Sequence, residues 1–193
     1  AFDPQSGSGS GDVFDQYNAA AQTVPEGSEG LVFLPYLNGE RTPYWDSDAR
    51  GVFFGVNLKT EKAHFIRAVM EGVSFGLRNN IETVESLGIR INEVRAVGGG
   101  LKSPVWLEIL AKILRRPVFT VTTPDTGNLG NILMAGKAIG LYSDYAEAVQ
   151  RMVAVDQVIS YPEGSPVYEK QYRTFLDLYQ HLKPVYRQAA EGS

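Results

Sequence analysis

Cysteine is absent from the 193 residues, so disulfides, thiolate catalysis and cysteine-rich zinc sites are excluded. Histidine is nearly absent. His64 and His181 stand far apart, a poor basis for a histidine-rich transition-metal site. A basic excess is missing too: 18 Lys and Arg face 22 Asp and Glu, for a formal charge of −4. No Lys/Arg run of the kind that grips phosphate backbones or anionic lipid occurs, so nucleic acid is not an expected partner. No stretch approaches the roughly 18–20 uninterrupted apolar residues of a membrane span. The N-terminus lacks the basic-then-apolar pattern of a secretory signal. The expectation is a soluble cytoplasmic protein with no membrane partner. Its first residue is Ala1, which points to a processed start or a piece of something longer.

What is present suffices for a core. The chain is 44% hydrophobic and 21% charged, the balance of a globular protein, and its length allows one ordinary domain or a domain with appendages. Residues 1–29 differ from the rest. Ser6-Gly7-Ser8-Gly9-Ser10-Gly11 reads as a linker or mobile loop. A short helix over Val13–Gln22 follows, with Asp12 as its cap and Pro25-Glu26-Gly27 closing it. No chemistry is expected of this part, and the domain proper is expected over residues 30–193.

Within that domain, Leu31–Leu37 and Val52–Val56 read as short strands around a charged, turn-rich loop, Gly39–Arg50. A long helix is expected from Glu61 to Leu87, with Thr60 as N-cap and Gly88 as the C′ glycine. Its apolar stripe is read from Phe65, Val69, Val73, Leu77 and Ile81. Strand and helix then alternate: Val94–Val97, Ser103–Leu114 with Pro104 in its first turn, Val118–Val121, and Asn128–Leu141. That order predicts a mainly parallel sheet covered by helices. Two further helices are expected, Tyr145–Val153 and Val167–Gln188. The second carries Tyr168, Tyr172, Phe175, Leu176 and Tyr179 on one side.

Four groups of residues invite chemistry. Gly98-Gly99-Gly100-Leu101-Lys102-Ser103-Pro104 lies between a strand and a helix, where glycines let a ligand approach and a helix start offers free N–H groups. It fails the dinucleotide fingerprint at Ser103 and the P-loop at Leu101; a ligand-free tight turn is the other reading. Asp125-Thr126-Gly127-Asn128-Leu129-Gly130-Asn131 also opens a helix after a strand, either as a ligand edge or as a glycine-eased turn. The loop Glu40-Arg41-Thr42-Pro43 through Trp45-Asp46 to Asp48-Ala49-Arg50 is a surface for substrate or another domain, or a turn whose arginines bond backbone carbonyls. His64, Arg67 and Glu71 share one helix face, as acid–base groups or as a structural ion pair.

Taken together, these segments resemble the C-terminal part of the FGGY carbohydrate kinases, over about Gly30 to Gln188. Gly51-Val52-Phe53-Phe54-Gly55-Val56, His64, Arg67-Ala68 and Glu71-Gly72 are similar to that family's C-terminal signature. Leu34-Pro35-Tyr36-Leu37, Gly39-Glu40-Arg41-Thr42-Pro43 and Gly98-Gly99-Gly100 with Lys102-Ser103-Pro104 and Trp106 most resemble xylulokinases. Gluconokinases share much of the first of these motifs. Pro43-Tyr44-Trp45-Asp46 with Asp48-Ala49-Arg50-Gly51 is similar to glycerol kinases.

The resemblance implies an α/β fold, the ribonuclease-H-like, actin-type C-terminal lobe with a mixed sheet flanked by helices, truncated at its N-terminal side. It implies ATP and Mg²⁺ as cofactors, a sugar substrate (D-xylulose first, gluconate as competitor), and the missing N-terminal lobe and a homodimer as partners. Gly98, Gly99, Gly100 and Leu101 would approach the adenosine and α-phosphate, with Ser103 and Pro104 beside the adenine. The family's Gly-Asp-x segment with the catalytic base and its Gly-Thr-Ser phosphate loop do not occur here. No catalytic residue or metal ligand is therefore expected in this chain, and on its own it is expected to be inactive. The rival from another class is a non-catalytic actin-type interaction module.

Overall fold

Six helices and five short strands follow one another in the computed structural model, which describes residues 13–122 and 126–191. The order is α1 (Val13–Thr23), β1 (Val32–Leu34), β2 (Val52–Phe54), α2 (Lys62–Ser86), β3 (Val94–Ala96) and α3 (Pro104–Leu114). It continues with β4 (Val118–Val121), α4 (Thr126–Ala138), α5 (Tyr145–Met152), β5 (Val155–Ile159) and α6 (Pro166–Glu191). The Gly/Ser stretch at 6–11 and the Asp12 cap lie outside the described residues.

The strands form two small sheets. β1 and β2 pair antiparallel, with Val32 opposite Phe54. β3 and β4 run parallel, Val94 opposite Val118, and β5 joins β4 antiparallel. The second sheet is thus mixed, not mainly parallel, because the unforeseen β5 closes it. Its sequence hid it: Val155 and Val158 are about half exposed, so the segment shows no buried alternation to read.

Around the long α2 the other elements assemble. Glu61, not Thr60, caps it. The Glu61 N–H donates to His64 Nδ1 at 3.0 Å and the Glu61 side chain accepts in return from the His64 N–H, a reciprocal capping box. Thr60 is occupied elsewhere, its hydroxyl accepting from the Asn57 N–H. Gly88 ends the helix at φ +85, as a C′ glycine does. The buried face differs from the expected stripe. Val69 and Leu77 are 38% and 44% exposed, whereas Arg67, Ala68, Glu71, Gly72, Phe75 and Asn79 are buried. A purely apolar count misses a face whose centre is an ion pair. Gly72 sits where β1 crosses the helix; a Cβ there would stand 2.3 Å from the Phe33 carbonyl oxygen.

Arg67 and Glu71 tie four segments together. Arg67 Nε donates to Glu71 Oε1 at 2.8 Å, Nη1 to the Ala21 carbonyl of α1 at 3.0 Å, and Nη2 to Tyr168 of α6 at 2.8 Å. Glu71 also accepts from the Gly27 N–H at 3.0 Å and the Ser28 hydroxyl at 2.8 Å. Burial raises the Glu71 carboxyl above its ordinary value, opposed by Ser28, Arg67 and the Gly27 N–H. Three donors converge on its two oxygens, the arrangement a carboxylate accepts.

Against this network lies an aromatic core. The face of α6 bearing Tyr168, Tyr172, Phe175 and Tyr179 packs on Tyr36 and Phe75, and Tyr44 stacks on Tyr179 with centroids 3.9 Å apart. Each such buried side chain contributes roughly 1.5–3 kcal/mol. Arg78 clamps α6 a turn further on, with Nη1 and Nη2 on the Glu169 carboxylate at 2.7 and 3.0 Å and its guanidinium 4.1 Å over the Tyr172 ring.

Two predictions follow from these charges. Glu71→Ala leaves a buried guanidinium uncompensated and lowers the unfolding free energy in urea by about 3–5 kcal/mol; an unchanged midpoint would contradict the network's role. Glu169 is held below its ordinary 4.5 by the Arg78 hydrogen bonds. A depressed carboxyl contributes its stabilisation in full above that unfolded value and loses it as pH falls through the folded one. Melting temperature should therefore drop below pH 4.5, and less steeply in Glu169→Gln.

Candidate nucleotide site

Because β3 and β4 are parallel, the segments leaving their C-terminal ends emerge on one edge of the sheet, where open α/β sheets bind ligands. After β3 comes the glycine turn. Gly98 has φ 116 and ψ 174, a conformation open essentially to glycine alone. Gly99 to Lys102 form a 3₁₀ turn, with Leu101 in its backbone. A Cβ at Gly99 would meet no atom within 4 Å, whereas one at Gly100 would stand 2.2 Å from the Trp106 ring. One glycine therefore serves the backbone bend, one leaves open space, and one makes room for a tryptophan.

Ser103 ends the turn and caps α3. Its Oγ accepts from the Trp106 N–H at 3.1 Å and donates to Asn18 Oδ1 at 2.5 Å, and the residue is buried. Pro104 follows at the first position of α3, exposed. After β4, α4 begins at Thr126, and Asp125 lies outside the described residues. The two exits flank a cleft of about 210 Å³. Val97 and Val121 line it from the strand ends, Leu129, Gly130 and Leu133 from α4, and Val153 from beyond α5. Apolar walls beside an open glycine backbone suit a flat ring at one end and a polar group on N–H donors at the other.

The model of the FGGY family of carbohydrate kinases, C-terminal domain, matches residues 5–139. The chain belongs to the FGGY family. It is 31% identical over 88% of its length to the xylulose kinase of Bacillus subtilis (strain 168), covering 33% of that protein. It is 33% identical over 93% of its length to the gluconokinase of the same organism, covering 35% of it. Among solved structures, ligand-bound xylulose kinase from Lactobacillus acidophilus superposes with a TM-score of 0.81 at 32% identity, over 90% of this chain and 36% of that one. The chain thus spans about a third of the length of the relatives it matches. Its fold is that of the FGGY C-terminal domain, ribonuclease-H-like and actin-type, with a mixed sheet flanked by helices.

The other residues singled out in the sequence are not brought to this edge. His64 caps α2 and stands 3.5 Å from Glu29, while Arg67 and Glu71 are the buried ion pair. They are structural. The loop at 39–50 is a closed turn: Asp46 Oδ1 accepts from the Asp48 and Ala49 N–H groups, and Arg50 donates to the Ser47 and Ala49 carbonyls. Arg41 is exposed and makes no such bond among the described residues. Asp46 Oδ2 accepts from Tyr179 at 2.8 Å. Burial would raise that carboxyl, but the Tyr179 hydroxyl and the two N–H groups win and hold it below its ordinary value. Asp46 is thus spent on its own turn.

Asn18 and Ser74 went unnoticed in the sequence. Ser74 Oγ accepts from Trp106 Nε1 at 3.2 Å and so fixes the ring beneath Gly100. No motif announces either residue; only the packing of α1 and α2 on α3 brings them there.

In this FGGY domain the three glycines should separate by substitution. Gly98→Ala forces a strained backbone, and Gly100→Ala collides with Trp106. Each should lower stability by about 1–3 kcal/mol. Gly99→Ala should leave the melting temperature within a degree of the parent.

Proposed function

We propose that this chain is the ATP-binding part of a sugar kinase that transfers the γ-phosphoryl group of ATP to a sugar hydroxyl, D-xylulose being the first candidate. The observation that carries the reading is the turn from Gly98 to Lys102, open at Gly98 and Gly99, beside an apolar cleft at the carboxyl ends of two parallel strands. Kinship with xylulose kinases and gluconokinases supports it. Gluconate is therefore the alternative substrate.

In this reading the adenosine lies in the cleft against Val97, Leu129 and Gly130, with Leu101, Ser103 and Pro104 at its rim. The Gly99 and Gly100 backbone approaches the α-phosphate. A planar, weakly polar ring gains from apolar walls, and phosphate oxygens gain from N–H donors at a helix start. Mg²⁺ would come with the phosphates of ATP, and Val97, Val121, Leu129 and Leu133 offer it no ligand. Phosphoryl transfer needs a base on the sugar hydroxyl and closure against water. Both are assigned to an N-terminal lobe, with the sugar in the cleft between lobes and residues 30–193 as part of the nucleotide side. In a homodimer each subunit would keep its own such cleft.

Two measurements test the reading. Titrating the chain with ADP or ATP-Mg should shift the amide resonances of Gly98, Gly99, Gly100 and the 126–130 segment, while Gly39 and Gly88 stay still. The same polypeptide should show no D-xylulose- or gluconate-dependent ATP turnover. Absent shifts would favour the non-catalytic module; measurable turnover would refute the division of labour between lobes.

A further inference from the structure

A turn built of three glycines has no side chains of its own to hold it, and glycine carries the largest backbone entropy to lose. Its shape must be imposed from outside. Two of the supports are local: the Trp106 ring under Gly100, and Ser103, whose N–H donates to the Gly100 carbonyl at 3.1 Å and closes the turn. The third is remote in sequence. Asn18 on α1 accepts the Ser103 hydroxyl proton across 85 positions of chain.

That bond has a specific consequence. A serine hydroxyl carries one proton and two lone pairs. Ser103 takes the Trp106 N–H on a lone pair and has a single proton left to place. The Asn18 carbonyl oxygen receives it and thereby fixes the rotamer of the residue that ends the turn. Asn18 is itself held. The next turn of α1 is tied to α2 where Arg67 Nη1 meets the Ala21 carbonyl, and Lys62 lies 5.6 Å over the Tyr17 ring. Yet α1 contributes no residue to the cleft.

We propose that Asn18 is a positioning residue for the nucleotide turn: through Ser103 it holds the Gly98–Lys102 backbone in the shape that meets the nucleotide. The inference rests on the nucleotide reading above. It assigns a role to α1, a segment in which the sequence showed no chemistry.

The test uses the whole chain, with two readouts and four variants: Asn18→Ala, Ser103→Ala, the two combined, and Thr23→Ala. Asn18→Ala should speed hydrogen exchange of the Ser103 amide about fivefold and weaken ADP binding by a similar factor, the usual effect of losing one hydrogen bond. Adding Asn18→Ala to Ser103→Ala should weaken ADP binding no further, as befits two residues acting through one bond. Thr23→Ala removes a hydroxyl bond to the Ala20 carbonyl within α1, and should leave both readouts unchanged.

An Asn18→Ala protein with unaltered Ser103 exchange would overturn the proposal. So would altered exchange with undiminished ADP affinity, or equal weakening by Thr23→Ala, which would reduce Asn18 to a general support of α1. A parent chain that binds no ADP refutes the nucleotide reading and the positioning role with it. In that case exchange at Ser103 still distinguishes a broken bond from an inert one.

Discussion

The buried pair of Arg67 and Glu71 is the constraint on which the rest of the molecule depends. An arginine and a glutamate taken out of water cost several kcal/mol each unless every donor and lone pair finds a partner. Here the partners come from the end of α1, from the turn at Gly27 and Ser28, and from Tyr168 at the start of α6. Satisfying the pair therefore fixes where those segments sit. The pair adds little net stability of this kind, but it leaves few other arrangements in which both charges are satisfied. The aromatic face of α6 then falls onto Phe75 and Tyr36, and β1 crosses at Gly72.

From that fixed centre the order passes outward to the cleft. α2 supplies Ser74 to hold Trp106, and Trp106 fills the space under Gly100. Support thus comes to the turn from its packed side, while Gly98 and Gly99 stay uncovered. A glycine-rich loop is often described as flexible. Here open space lies only at Gly98 and Gly99, while Gly100 rests on the Trp106 ring.

How much of this was legible in the sequence depends on what kind of signal each element gives. The helices α3 and α6 were readable because their caps and apolar faces are local: Ser103-Pro104 opens α3, and the spacing of Tyr168, Tyr172, Phe175 and Tyr179 by fours and threes marks α6. β4 was readable as an apolar run between turns. The face of α2 was not. Its most buried positions include two charges and a glycine, and each is inside because of a residue more than 30 positions away. β5 was missed because an exposed edge strand needs no alternation. The Gly98 turn stood out as a candidate ligand edge or a tight turn, but sequence could not sort its glycines into one for φ, one for space and one for Trp106. Asn18 carried no sign at all, since a hydrogen bond across 85 residues leaves no pattern.

The three-stranded sheet ends in β3 on one side and β5 on the other, and each outer strand leaves a row of backbone donors and acceptors without a strand beside it among the described residues. Such rows are templates for another chain. Both are blunted: β3 is three residues long with Arg95 exposed at its middle, and β5 carries exposed Asp156 next to Val155. A short edge with an outward charge penalises edge-to-edge growth. Both edges therefore carry an outward charge, and Arg95 also lines the cleft beside Val97.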